Sequence, residues 1–93
     1  MLMLPDTVTA REVADTLRAA RQAIDALDPG EAFVVDGGAL LHFDSSALAV
    51  VLECRRLAQA AGRDCVVKGL PQRLRELARL YGITEVVGET APA

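Results

Sequence analysis

Apolar residues recur along this chain in two rhythms, and the switches between them mark out the elements. From Val13 the spacing is three and four: Val13, Leu17, Ala20, Ile24 and Leu27 fall on one stripe of a helix. Thr9-Ala10-Arg11-Glu12 opens that helix as a capping box, in which the threonine and glutamate side chains satisfy each other's free N–H groups. Asp28-Pro29-Gly30 stops it. Ala32 to Val35, with Asp36 behind it, is too short and too β-branched for a helix and lies between glycines, which predicts an interior strand. A second helix runs from about Ser46 to Ala61, with Gly62 as its natural C-terminal stop. Cys65-Val66-Val67-Lys68 predicts another short strand, ending at Gly69. Pro71 opens a third helix in the first-turn position that proline tolerates. Leu74, Leu77, Ala78 and Tyr81 line the apolar side of that helix, and Gly82 ends it. Ile83 to Val87 reads as a last strand, and Leu2 to Leu4 as a short edge strand cut by Pro5.

Strand, helix, strand, helix, strand, helix, strand is the order expected of an α/β domain. It predicts a small mixed, mostly parallel sheet flanked by three main α-helices. Residues 1–88 form one domain in this reading, and 89–93 a flexible tail. Repeats and linkers are absent.

The second helix carries more apolar surface than one face can hold. Ala47, Val50, Val51, Cys54, Leu57, Ala58 and Ala61 fall on one narrow side, enough to cover a small sheet. Leu48 and Leu52 fall roughly opposite, alongside Arg56 and Gln59. Either Leu48 tucks under a neighbouring loop and Leu52 is an ordinary exposed leucine, or the two make a partner-binding patch. The residues just before this helix, Phe43-Asp44-Ser45-Ser46-Ala47-Leu48, put an acid and two hydroxyls where a strand gives way to a helix. A hydroxyl there sits against exposed backbone N–H groups and the positive end of the helix dipole. That position suits a cap, and it also suits a phosphate.

Composition narrows the chemistry. The 93 residues carry a formal charge of −3, which argues against a nucleic-acid partner held by phosphate neutralisation. No apolar run approaches the ~18 residues a membrane span needs, so direct membrane insertion is not expected. Met1-Leu2-Met3-Leu4 meets Pro5 and Asp6 at once and does not read as a signal peptide. Tryptophan is absent and aromatics are scarce, so Leu, Val and Ala must build the core. Cys54 and Cys65 lack any paired motif and read as reduced core residues. His42 is the only histidine, which excludes a His-based triad or multi-His metal site within this chain. Gly37-Gly38 follows a strand without the lysine of a phosphate-binding loop and reads as a turn. The residue types point to no enzyme and no cofactor.

Over residues 7 to 88 the chain resembles the STAS family, small domains named after sulfate transporters and anti-sigma-factor antagonists. The likeness lies in the element order and in the corner His42-Phe43-Asp44-Ser45-Ser46-Ala47-Leu48. Within the family it is most similar to the MlaB-type subgroup. That likeness rests on Phe43-Asp44-Ser45-Ser46-Ala47-Leu48-Ala49-Val50 and on the stretch from Gly69-Leu70-Pro71 through Leu80-Tyr81-Gly82. The resemblance implies a STAS-like fold and a cytoplasmic, non-enzymatic subunit, peripheral to the inner membrane. Its implied partner is the MlaF-like ATPase of a phospholipid ABC transporter, and through it the membrane permease complex. The implied process is phospholipid traffic that maintains outer-membrane lipid asymmetry.

The alternative from the same family is an anti-sigma-factor antagonist, in which a partner kinase phosphorylates the first hydroxyl after the aspartate, here Ser45. Many members have glycine where this chain has Ala47, whose Cβ is expected to crowd a kinase approaching the backbone. Met1 to Asp6 is expected to leave little room for the family's two-strand start. The surplus apolar side beside the polar helix start makes Asp44, Ser45, Ser46, Leu48, Leu52 and Arg56 the candidate contact residues, with Ser45 serving as cap, as docking donor or as phosphosite. Arg73, Arg75 and Arg79, taken as the basic side of the third helix, form a second candidate surface beside the reading of a plain solvated face.

Overall fold

Hydrogen-bonded pairing between chain segments far apart in sequence organises the molecule. The computed structural model describes residues 1–83. Strands β1 (Leu2–Met3), β3 (Phe33–Asp36) and β5 (Cys65–Lys68) form one parallel sheet in the order β1-β3-β5. Strands β2 (Thr7–Val8) and β4 (His42–Phe43) form a separate parallel pair. Helices α1 (Val13–Asp25), α2 (Ser46–Ala60) and α3 (Gln72–Leu80) complete the α/β architecture. A 3₁₀ turn over Ala10–Glu12 leads into α1.

β3 is the interior strand that its β-branched run predicts. Phe33 stands opposite Cys65, Val35 opposite Val67, and Leu2 opposite Val35. Register partners share a face of the sheet, so Leu2, Phe33, Val35 and Val67 present one buried apolar surface. On it α2 packs against β3 and β5, while α1 packs against α2 and β1. Ala47, Val50, Val51, Cys54 and Ala58 of α2 are fully buried. Phe33 is the one aromatic ring wholly inside, among Leu, Val and Ala.

The helix ends follow local chemistry. The Thr9 backbone N–H donates to Glu12 Oε1 at 2.7 Å, which completes the capping box. The hydrogen bonds from Thr9 hold the Glu12 carboxyl below its ordinary range. α2 closes with Gly62 at φ +74°. The Gly62 N–H donates to the Gln59 carbonyl (3.0 Å) and the Arg63 N–H to the Ala58 carbonyl (2.8 Å), the paired bonds of a Schellman motif. Arg63 Nη1 then donates to the Asp28 carbonyl (2.6 Å) and the Glu31 carbonyl (3.1 Å), tying the α1–β3 loop to the end of α2.

Several expectations change. The start of the chain does hold two strands, β1 and β2, each cut to two residues. β2 and β4 went unforeseen because a two-residue strand is shorter than any hydrophobic period. Every pairing among the described strands is parallel. Leu27 falls beyond α1 but stays half-buried against the core. Ala61 is the C-cap of α2 and exposed, not on the core face. Pro71 is the N-cap of α3, one position earlier than expected, and its carbonyl accepts from Leu74 and Arg75. Tyr81 is exposed, because α3 ends at Leu80. After Gly82, Ile83 makes the core contact at that end, donating its N–H to the Ala78 carbonyl at 2.8 Å. The predicted strand from Ile83 to Val87 reaches past the last described residue, and the tail 89–93 lies outside the described residues altogether. No helix among the described residues is long and apolar enough to cross a membrane.

Candidate functional site: the Asp44–Ser45 corner

The corner is set by the β2–β4 pair. The N–H groups of Leu41 and His42 both donate to the Asp6 carbonyl at 2.8 Å, and Thr7 and Val8 pair with His42 and Phe43. This fixes where β4 ends, and so where Asp44 meets the first turn of α2.

At that turn the cap is the aspartate. Asp44 Oδ1 accepts from the Ser46 N–H at 2.8 Å, and the Asp44 carbonyl accepts from the Ala47 N–H at 3.0 Å. The first is the side-chain bond of an N-cap to the second residue after it; the second is an i→i+3 bond that tightens the first turn. Ser45 already has helical backbone angles (φ −62°, ψ −15°), and its hydroxyl makes no capping hydrogen bond. Ser45 is exposed and Ser46 half-buried. The expectation that Ser45 caps the helix is therefore corrected: Asp44 takes that role and leaves the Ser45 hydroxyl facing solvent.

Ala47 is fully buried, so its methyl group points into the core and not at an approaching partner. The crowding expected there does not arise.

Along α2 the outward stripe is Ser45, Ala49, Leu52 and Arg56, spaced by four, three and four, and all four are exposed. Leu52 is 36% exposed. Leu48 is 2% exposed and belongs to the core. The expectation that it shares an exposed side with Leu52 is corrected, since α2 packs against β3, β5, α1 and α3, and its buried arc is wider than one sheet contact requires. Arg56 donates to Glu53 through Nε at 2.8 Å and through Nη2. That pairing holds the Glu53 carboxyl below its ordinary range.

On α3 the three arginines do not share one side. At 3.6 residues per turn, two positions carry Arg75 to nearly the opposite side from Arg73, and six leave Arg79 about a third of a revolution away. The Arg73 guanidinium lies over the Phe43 ring, 5.9 Å from its centroid, within cation–π range. Arg79 is exposed, whereas Arg75 is half-buried, and its Nε has no hydrogen-bond partner among the described residues. Of the expected basic surface, only Arg73 reaches the corner.

Arg73 brings with it a feature that sequence reasoning missed. Phe43, Asp44, Arg73, Glu76, Leu77 and Leu80 line an open groove of about 350 Å³ between β4 and α3. Leu80 is 81% exposed. The signal was present, because Leu80 is an apolar residue off the Leu74–Leu77–Ala78 stripe.

None of the curated proteins compared with the chain matches it. A family model described as "Mlab, STAS domain" matches residues 6–88, nearly the whole chain, and takes in β2, the corner and all three helices. An α/β fold of this topology, with an Asp-Ser-Ser turn opening α2, and a family match of that extent place the chain in the STAS domain family, among the MlaB-type domains.

Proposed function

We propose that this chain is a non-enzymatic STAS subunit that binds and supports the ATPase of an Mla-type phospholipid ABC transporter. Through that ATPase it would join the membrane permease complex, on the cytoplasmic side of the inner membrane, and serve outer-membrane lipid asymmetry. The observation carrying this reading is the uncommitted Ser45 hydroxyl. A serine released from capping by its neighbour Asp44, exposed beside Leu52 and Arg56, is a donor available to a partner. The MlaB-type family description favours the transporter as the setting.

The same exposed hydroxyl supports a second reading, an anti-sigma-factor antagonist switched by phosphorylation of Ser45. A phosphate there would add negative charge beside Asp44 and repel a partner docked on the corner. The buried Ala47 methyl removes one steric objection to a kinase.

Co-expression with the ATPase subunit from the same genome, followed by size-exclusion chromatography, separates the two. The transporter reading expects a stoichiometric complex that Ser45→Glu or Leu52→Asp disrupts, with both variants still folded. Two separate peaks for the wild type would favour the switch, and phosphorylation of Ser45 by a kinase of that genome would then support it.

A further inference from the structure

The groove between β4 and α3 has an apolar floor and a charged rim. Phe43 and Leu77 are half-buried along it, and Leu80 stands almost fully exposed. Asp44, Arg73 and Glu76 surround them. None of these three charges belongs to an ion pair among the described residues. The pairs that do form, Asp15 with Arg18 and Glu53 with Arg56, join side chains three apart on a helix.

Arg73 and Glu76 have that same spacing and do not pair. Arg73 instead covers the Phe43 ring, and Glu76 accepts from Gln72 Nε2 at 3.2 Å. The cation is thus occupied by a ring, while two carboxylates face the groove without a cation of their own.

We infer that the groove receives a segment of the partner ATPase bearing a large apolar side chain beside a lysine or arginine. The apolar group rests on Phe43, Leu77 and Leu80, and the cation meets Asp44 and Glu76. The inference rests on the docking reading above, and Asp44 joins the two sites, since it caps α2 next to Ser45 and also lines the groove. Charge complementarity decides the sign: two carboxylates against one arginine already stacked favour a basic occupant over an acidic one.

Affinity of the full chain for the co-purified ATPase subunit, measured by biolayer interferometry at low and at moderate salt, tests this. Glu76→Lys is expected to weaken binding tenfold or more at low salt, by an amount that shrinks as salt is raised. Leu80→Asp is expected to weaken it at both. Both residues are exposed, so thermal melting monitored by circular dichroism should match wild type. Tighter binding by Glu76→Lys would overturn the inference in favour of an acidic occupant. Wild-type affinity in both variants, with Ser45→Glu still disruptive, would remove the groove from the interface and leave the docking reading standing. An ATPase that fails to bind the wild-type chain would remove both.

Discussion

Asp44 and Ser45 sit side by side at the start of α2 and divide two tasks that sequence patterns assign to one residue. A hydroxyl ahead of an apolar helical run signals an N-cap. So does an aspartate, and with two such candidates adjacent the pattern cannot choose. The choice is made by where β4 lets go of the chain, and β4 is held by a two-residue pairing with β2 that leaves no periodic trace. Asp44→Ala removes the bond to the Ser46 N–H and should cost about 0.5–2 kcal/mol, lowering the melting temperature by roughly 4–8 °C per kcal/mol for a domain of this size. Ser45→Ala should move the melting temperature by no more than about 2–4 °C, since it breaks no hydrogen bond in the fold and exposed substitutions of this kind stay within ±0.5 kcal/mol. Paired thermal melts check this directly, and a large drop for Ser45→Ala would return the capping role to the serine.

At the scale of elements, the parts legible in the sequence were those with a local physical cause. α1 is framed by its capping box, α2 by Gly62 and β5 by its β-branched run, and each lies within a residue or two of its predicted bounds. Leu48 was harder to place, because its burial depends on which elements flank α2, and the helical wheel carries no such information. The groove was harder still. It joins β4 to α3 across some thirty residues of chain; Asp44 and Arg73 are readable as candidate contacts one by one, but nothing local in the sequence sets Arg73 over Phe43.

Where local chemistry does set a boundary, a single substitution should expose its cost. At Gly62 a Cβ would meet nothing within 4 Å, so Gly62→Ala introduces no clash and is penalised through its φ of +74° alone. A destabilisation of about 1–2 kcal/mol is expected, measured as a shift in the midpoint of denaturant unfolding with the slope unchanged. A changed slope would mean instead that the α2–β5 connection had rearranged.

For the molecule as a whole, the two cysteines report on how the core opens. Both thiols are free. Cys54 is fully buried in the layer between α2 and the sheet, and burial pushes its thiol up to about 12. At pH 8 the native Cys54 is then almost wholly the unreactive thiol, and its burial keeps reagents away unless the core parts. Cys65, half-buried on β5 opposite Phe33, is raised as well, again chiefly by burial, with Arg55 opposing the shift. An aromatic disulfide reagent at pH 8 should therefore modify Cys65 first and Cys54 only through opening of the whole domain. The two rates should converge once denaturant unfolds the chain. A ligand that binds only the folded state lowers the open population by the factor 1 + [L]/Kd. A docked partner on the exposed side of α2 should thus slow Cys54 labelling by that factor, though it never touches the thiol. Labelling of Cys54 that proceeds at an unchanged rate under saturating partner would show that α2 lifts locally from the sheet, and that the corner and the core are not coupled through global stability.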